Sequence, residues 1–166
     1  FLSIIRYYQK ENPDLSYSHY LKLPITDQPL FLDQHNKKEN LIEIIAYCLM
    51  PTHFHLILKQ LVDNGITKFS SNVCNSYSHY FNLKHNRKGP LWQGRFKSVI
   101  VDSDEQMYHL TRYLHLNAPT AGLVKNPLDW DYSSYREYLG KIKNKTCSFD
   151  FLDIKPGAYE RFVNSQ

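Results

Sequence analysis

Apolar residues recur at helical spacing from the first position of the chain: Phe1, Leu2, Ile4, Ile5 and Tyr8. The spacing predicts an amphipathic helix that stops near Glu11, because Pro13 disfavours helical dihedrals at Asn12. Residues 13–38 contain Pro13, Pro24 and Pro29 among many polar residues. They read as an irregular connection with room for a short helical piece. Two different apolar runs follow. Residues 41–49, LIEIIAYCL, are β-rich and largely apolar, whereas 53–59, HFHLILK, alternate. Phe54, Leu56 and Leu58 face one way, and His53, His55, Ile57 and Lys59 the other. Only Met50, Pro51 and Thr52 separate the runs, so the two strands are expected to be antiparallel neighbours.

Further along, Asn64 is placed to cap a helix running to about Leu83, with Ile66, Phe69, Val73, Tyr77, Tyr80 and Phe81 on its buried stripe. Residues 84–95, KHNRKGPLWQGR, read as a basic loop, and 96–101, FKSVIV, as a third strand. Ser103 with Gln106 forms a capping-box start for a helix to about Asn117. Ser134 with Glu137 repeats the pattern and opens a short helix that Gly140 can end. From Lys141 onward the chain is polar and weakly patterned. The expected fold is α+β: a mainly antiparallel sheet with helices packed on it. Residues 1–140 are expected to form a single domain, with 141–166 a C-terminal extension packed on it or trailing it.

Composition narrows the function classes. The chain has 166 residues, 42% hydrophobic and 22% charged, which argues against a disordered or collagen-like segment. No apolar run approaches the roughly 18 residues of a membrane span, and no leader pattern is visible at the start. The first residue is Phe, so the chain reads as a piece of a longer product. Cys48, Cys74 and Cys147 are widely spaced. They suggest neither a disulfide framework nor a CxxC metal site, and a reducing cytoplasm is the expected home. The net charge is only +4, but its distribution is uneven. Between Asp63 and Asp102 there is no acidic residue, while Lys68, Lys84, Arg87, Lys88, Arg95 and Lys97 contribute +6. The remainder is therefore net negative. Such a one-sign segment reads as a surface facing a polyanion; the plainer alternative is a solvated face.

Two pairs of side chains carry candidate chemistry. His53 and His55 project from one strand face with Cα atoms roughly 7 Å apart, close enough to share a metal ion. Taken alone, a His-x-His strand is more often two polar side chains facing solvent. Tyr113 and Asn117 are i and i+4, neighbours on one helix surface. An amide oxygen suits a hard cation, and a tyrosine hydroxyl becomes a nucleophile only where its surroundings activate it. His115 lies about 200° round the helix from Tyr113 and reads as a supporting or surface residue, not a ligand.

Three separated motifs, AYCLMPTHFHLILK, YFNLKHNRKGPLWQGRFKSVIV and LTRYLHLNAPTAGLVKNPLDWDYSSYREYLG, resemble the REP-associated tyrosine transposases. These belong to the single-tyrosine HUH, or insertion-sequence two-hundred-like, transposases. The resemblance covers roughly residues 40–140, with Thr52 where the family usually has Asn, and Asn117-Ala118 where it usually has Asn-Pro. It implies a ferredoxin- or RRM-like HUH fold, whose first strand is expected to be missing from these residues. It also implies cleavage and joining of single-stranded DNA, at hairpin sequences, through a 5′-phosphotyrosine. Tyr113 falls on the nucleophile, and His53, His55 and Asn117 fall on the ligands of a divalent cation, Mg²⁺ or Mn²⁺. Lys84, Arg87, Lys88, Arg95 and Lys97 would neutralise DNA phosphates. Trp92 would either stack on a base or plug the loop onto the core, and Gln93 could read a base edge. The implied partner is single-stranded or hairpin DNA, in the bacterial cytoplasm close to the nucleoid, with a homodimer as an option. Two competing readings remain open: a module that grips hairpin nucleic acid without cutting it, and a metal phosphoesterase that uses water instead of Tyr113.

Overall fold

The computed structural model describes residues 1–11, 13–143, 145–150 and 154–165. It is α+β, with a two-stranded antiparallel sheet and several helices. The chain divides into two compact units, Phe1–Glu43 with Gln60–Ser98, and Ile44–Lys59 with Val99–Gln166.

In the first unit, α1 (Leu2–Tyr8) buries Ile4, Ile5, Tyr7 and Tyr8 and packs on α4 (Gly65–Lys84), which buries Phe69 and Val73. The opening helix ends earlier than its apolar spacing predicts. Lys10 instead bridges to Asn40, and the Glu11 amide donates to the Glu39 carbonyl. The stretch expected to be irregular contains two helices, α2 (Tyr17–Tyr20) and α3 (Gln28–Asn36). Aromatic stacking organises them. The His35 ring lies 4.2 Å from Tyr7 at 15°, and Phe31 stacks on both Tyr20 and His35. His35 is the buried residue of α3, so no long apolar stripe announces that helix in the sequence.

Asn64 stands at the start of α4 as expected, but not as a side-chain cap. It adopts a left-handed conformation (φ 60°), and the Gln60 side chain accepts from the Ile66 amide instead. Gly65 follows because a Cβ there would overlap the Leu41 carbonyl oxygen. Tyr80, expected on the buried stripe, is 47% exposed.

The second unit contains the hairpin, β1 (Ile42–Leu49) and β2 (Phe54–Gln60), apart from its outermost residues. The Met50 amide donates to the His53 carbonyl at 2.8 Å and closes the turn. Ile57, on the histidine face of β2, joins a core with Ile45, Ala46, Cys48, Tyr135, Tyr138 and Leu114 of α5 (Asp104–Thr120). The Ser103 side chain accepts from the Gln106 amide and Gln106 from the Asp102 amide, so this predicted helix start holds. The last helix, α7 (Pro156–Asn164), packs on α5 through Tyr159 and Val163.

The second predicted capping box matches in position but not in chemistry. Ser134 precedes α6 (Tyr135–Tyr138) without capping it. Its hydroxyl accepts from the Tyr47 amide at 3.0 Å and lies 2.8 Å from His115 Nε2. Glu137 is buried, and its carboxylate accepts from the Tyr47 hydroxyl and from the amides of Thr146 and Cys147. Three donors compensate a charge that would otherwise be costly to bury.

The predicted strand at 96–101 is a correction. It has no regular structure, and Val99 and Ile100 are 87% and 79% exposed. Its residues are β-formers, but β-propensity expresses packing against neighbouring strands. The sheet pairs β1 with β2 alone among the described residues.

Two expectations follow. Gly65→Ala must move backbone at Leu41, and it should lower stability by about 1–3 kcal/mol, the usual range for overpacking, read by urea unfolding. The second concerns acid. His115 is fully buried, and burial pushes its pKa down to about 3; burial also lowers His35 and His55. The unfolded chain protonates such rings below about 6.5, so it binds more protons and stability falls as pH drops. Between pH 6.5 and 5, His115 alone should cost about 1.1 kcal/mol per pH unit on average, with the slope steepening toward about 1.4 at the acid end. Denaturation midpoints that stay level across this window would contradict the burial of a neutral His115.

Candidate functional site

His53 at the entry to β2, His55 within it, and helix α5 supply the chemistry-bearing side chains, all within the second unit. Strand alternation puts His53 and His55 on the face that carries Ile57 into the core. The His53 and His55 rings lie 5.0 Å apart at 82°. On α5, Thr111, Leu114, His115 and Ala118 form the buried stripe. Tyr113 and Asn117 form the adjacent row, one turn apart. The Tyr113 ring lies 5.9 Å from the His55 ring at 70°, and Tyr113 is 56% exposed. A phenol in that position is open to a large substrate.

The donor chemistry of this set fits a divalent cation. Burial, and then the neighbouring His53, lower the pKa of His55. Its ring is therefore neutral at physiological pH and can donate a lone pair. The His53 ring has Nδ1 3.1 Å from the Thr52 hydroxyl, a contact of the kind that orients an imidazole and selects its tautomer. The Asn117 Nδ2 donates to the Tyr113 carbonyl at 3.0 Å. This bond fixes the amide and leaves Oδ1 available as a hard-cation ligand. Among the described residues no three His, Cys, Asp or Glu side chains gather in one place; the two imidazoles lie together, and Asn117 stands one helical turn beyond the tyrosine whose ring approaches His55. Burial raises the Cys48 thiol to about 11, so at neutral pH it is not a thiolate ligand.

The basic residues named from the sequence lie in the first unit. Lys84 ends α4 with its ammonium 5.6 Å from the Tyr80 ring. Arg87 is committed to its own loop: it donates to Asn82 Oδ1 and the Pro90 carbonyl and lies over Phe81. Lys88, Gln93, Arg95 and Lys97 are exposed. Trp92 is half-buried; its Nε1 donates to the Cys74 carbonyl at 3.1 Å, and its ring packs near Tyr77 and Phe1. That arrangement is the plug, not a free stacking platform.

Of the two readings of His115 left by the sequence, supporting or surface, burial excludes the surface one. His115 is buried between Ser134 and Tyr159, and its Nδ1 lies 2.7 Å from the Tyr159 hydroxyl. Its position on the buried stripe of α5 was the available signal.

Residues 20–117 match the family described as "Transposase IS200 like". The chain belongs to the IS200-like transposase family. Its two-stranded α+β arrangement is that of an IS200-like HUH fold lacking a strand among the described residues. A REP-associated tyrosine transposase of Escherichia coli is 28% identical over 102 residues, covering 60% of this chain and 58% of its own length. A candidate REP-associated tyrosine transposase of Haemophilus influenzae is 27% identical over 106 residues, covering 56% and 58%. The chain thus spans well under two thirds of either relative. No solved structure matches it. No helix among the described residues is long and apolar enough to cross a membrane.

The His53–His55 pair gives a direct expectation. Substoichiometric Mn²⁺ should broaden the ring resonances of His53 and His55 before those of the exposed His19, His79 and His109. Uniform broadening of all the exposed rings would mean that the pair has no preference for the ion.

Proposed function

We propose that this chain cleaves and rejoins single-stranded DNA with Tyr113 as nucleophile and His53, His55 and Asn117 as ligands of one Mg²⁺ or Mn²⁺ ion. The observation that carries the reading is the 5.9 Å approach of the Tyr113 ring to His55. It brings an exposed phenol beside a neutral imidazole, in a chain of transposase family and with relatives named for a tyrosine. When bound, the cation would stabilise charge on the phosphoryl oxygens.

The phenol oxygen of Tyr113 attacks phosphorus, and its proton leaves to solvent. The bond from phosphorus to the 3′ oxygen breaks, and that oxygen takes up a proton as a 3′-hydroxyl. The 5′ phosphate stays on Tyr113 as a phosphodiester, so attack by another 3′-hydroxyl reverses the chemistry without ATP. Hairpin DNA of the REP type is the proposed substrate. Exposed Lys88, Arg95 and Lys97, within a segment free of acids, support binding to its backbone.

The deciding experiment incubates the chain with a 3′-labelled single-stranded hairpin and Mn²⁺, then looks for a protein–DNA adduct that survives SDS. Tyr113→Phe should abolish the adduct and strand cleavage while oligonucleotide affinity stays within about twofold, because only one oxygen is lost. His53→Ala should also stop cleavage, with partial recovery at high Mn²⁺. Cleavage that persists in Tyr113→Phe would make water the nucleophile. Tight binding with no adduct in the wild type would favour the non-cutting module.

A further inference from the structure

The Tyr113 helix is fixed to its unit by more than apolar contacts. Leu114, Ala118 and Thr111 bury one side of α5, but such packing is non-directional and tolerates a small roll. The roll matters because a tyrosine hydroxyl lies about 9 Å from its helix axis. A rotation of about 10° then shifts it by about 1.5 Å, and a misplacement near 1 Å can cost about 100-fold in rate. Directional bonds are what resist a roll. On the buried side of α5, Thr111 shares one with Tyr159, and His115 makes two, one to each of two different elements.

The hydrogen bonds around His115 define its state. Ser134 Oγ accepts from the Tyr47 amide, and its own proton goes to the Tyr47 carbonyl at 3.2 Å. With that proton on the Tyr47 carbonyl, the 2.8 Å contact with His115 Nε2 is donated by the ring. In a neutral imidazole Nδ1 is then the acceptor, and it receives the Tyr159 hydroxyl at 2.7 Å. The two partners come from different places. Ser134 is fastened to β1, the strand that pairs with the histidine-bearing β2. Tyr159 is the buried centre of α7.

We propose that His115 is a positioning residue. Clamped between Ser134 and Tyr159, it sets the rotation of α5 and thereby the presentation of Tyr113 and Asn117 to the strand histidines. A continuous path links the two halves of the site: His55 on β2, the β1 pairing, Ser134, His115, then Tyr113 and Asn117. Helix α7 is on this account a working part of the cleavage unit. The inference rests on the roles given to Tyr113 and Asn117 above.

The test uses the 166-residue chain, a labelled single-stranded hairpin oligonucleotide and Mn²⁺. Four quantities are read: single-turnover adduct rate, oligonucleotide Kd, Mn²⁺ affinity by electron paramagnetic resonance, and folded fraction. Tyr159→Phe keeps the ring and removes the hydroxyl that bonds His115 and Thr111. His115→Leu keeps bulk and removes both bonds of the imidazole. His115→Gln keeps an amide able to donate to Ser134. The adduct rate and the Mn²⁺ affinity should each fall about 10–100-fold in Tyr159→Phe and His115→Leu, the range seen when partners of ligands are removed. Oligonucleotide Kd should stay within twofold, and His115→Gln should recover part of the rate.

Unchanged adduct rate and Mn²⁺ affinity in folded His115→Leu would overturn the proposal, as would losses that merely track the folded fraction. A wild type that binds Mn²⁺ but forms no adduct would refute the cleavage reading, and the Mn²⁺ affinities of the variants would then decide the positioning role alone. If the wild type neither binds Mn²⁺ nor forms an adduct, both fall.

Discussion

A buried strand must have its backbone polar groups paired, and β1 is almost wholly buried with one strand neighbour among the described residues. Its other edge is satisfied piecemeal. Leu49 donates to the Tyr132 carbonyl, Ser134 donates to the Tyr47 carbonyl, and Ser148 donates to the Ile44 carbonyl. Side chains complete the set: Ser134 Oγ on the Tyr47 amide, the Tyr138 hydroxyl on the Ile45 carbonyl, and Trp130 Nε1 on the Leu49 carbonyl. Non-strand segments thus stand in for a second ladder. This arrangement draws residues 130–138 against β1 and makes Ser134 a fixed point to which a neighbouring helix can be tied.

The same demand accounts for the buried charge. Glu137 sits one helical turn beyond Ser134, and its carboxylate gathers the Tyr47 hydroxyl with the amides of Thr146 and Cys147. Removing the carboxylate would take away an acceptor that two amides and a phenol share, and truncating one partner of a buried network is costly. The segment after Gly140 is polar and unpatterned as sequence, yet its residues 146–148 are held by this carboxylate and by β1. Such order depends on partners far away in the chain, and local periodicity does not register it.

Elements whose partners are close in sequence were legible. The hairpin follows from two apolar runs separated by three residues, and the α5 start follows from Ser103 and Gln106, whose bonds are local. Elements defined by distant partners were not. FKSVIV has the residues of a strand but no pairing partner among the described residues. Ser134 and Glu137 imitate a capping box while spending their hydrogen bonds on β1, His115 and residues 146–147. α3 buries His35 against Tyr7, a contact across 28 residues that no helical stripe encodes. The candidate site was legible as four residues because each pair obeys a local rule, i,i+2 on a strand and i,i+4 on a helix. The residue that holds the helix at its angle was not, because a buried histidine in a sequence looks the same whether its ring nitrogens are paired or not.

The two local rules also explain why these elements suit one another. Two strand residues span about 6.8 Å, and four helical residues rise about 6 Å. A strand and a helix packed through Ile57 and Leu114 can therefore each present two groups over nearly the same length. One group from each meets at His55 and Tyr113. What the spacings leave free is the roll of the helix about its own axis, since rotation alters where Tyr113 and Asn117 point without altering their separation. Local sequence rules set the distances within each pair. The angle between the pairs has to come from tertiary bonds with direction, and on α5 the residue that makes two of them, to Ser134 and to Tyr159, is His115.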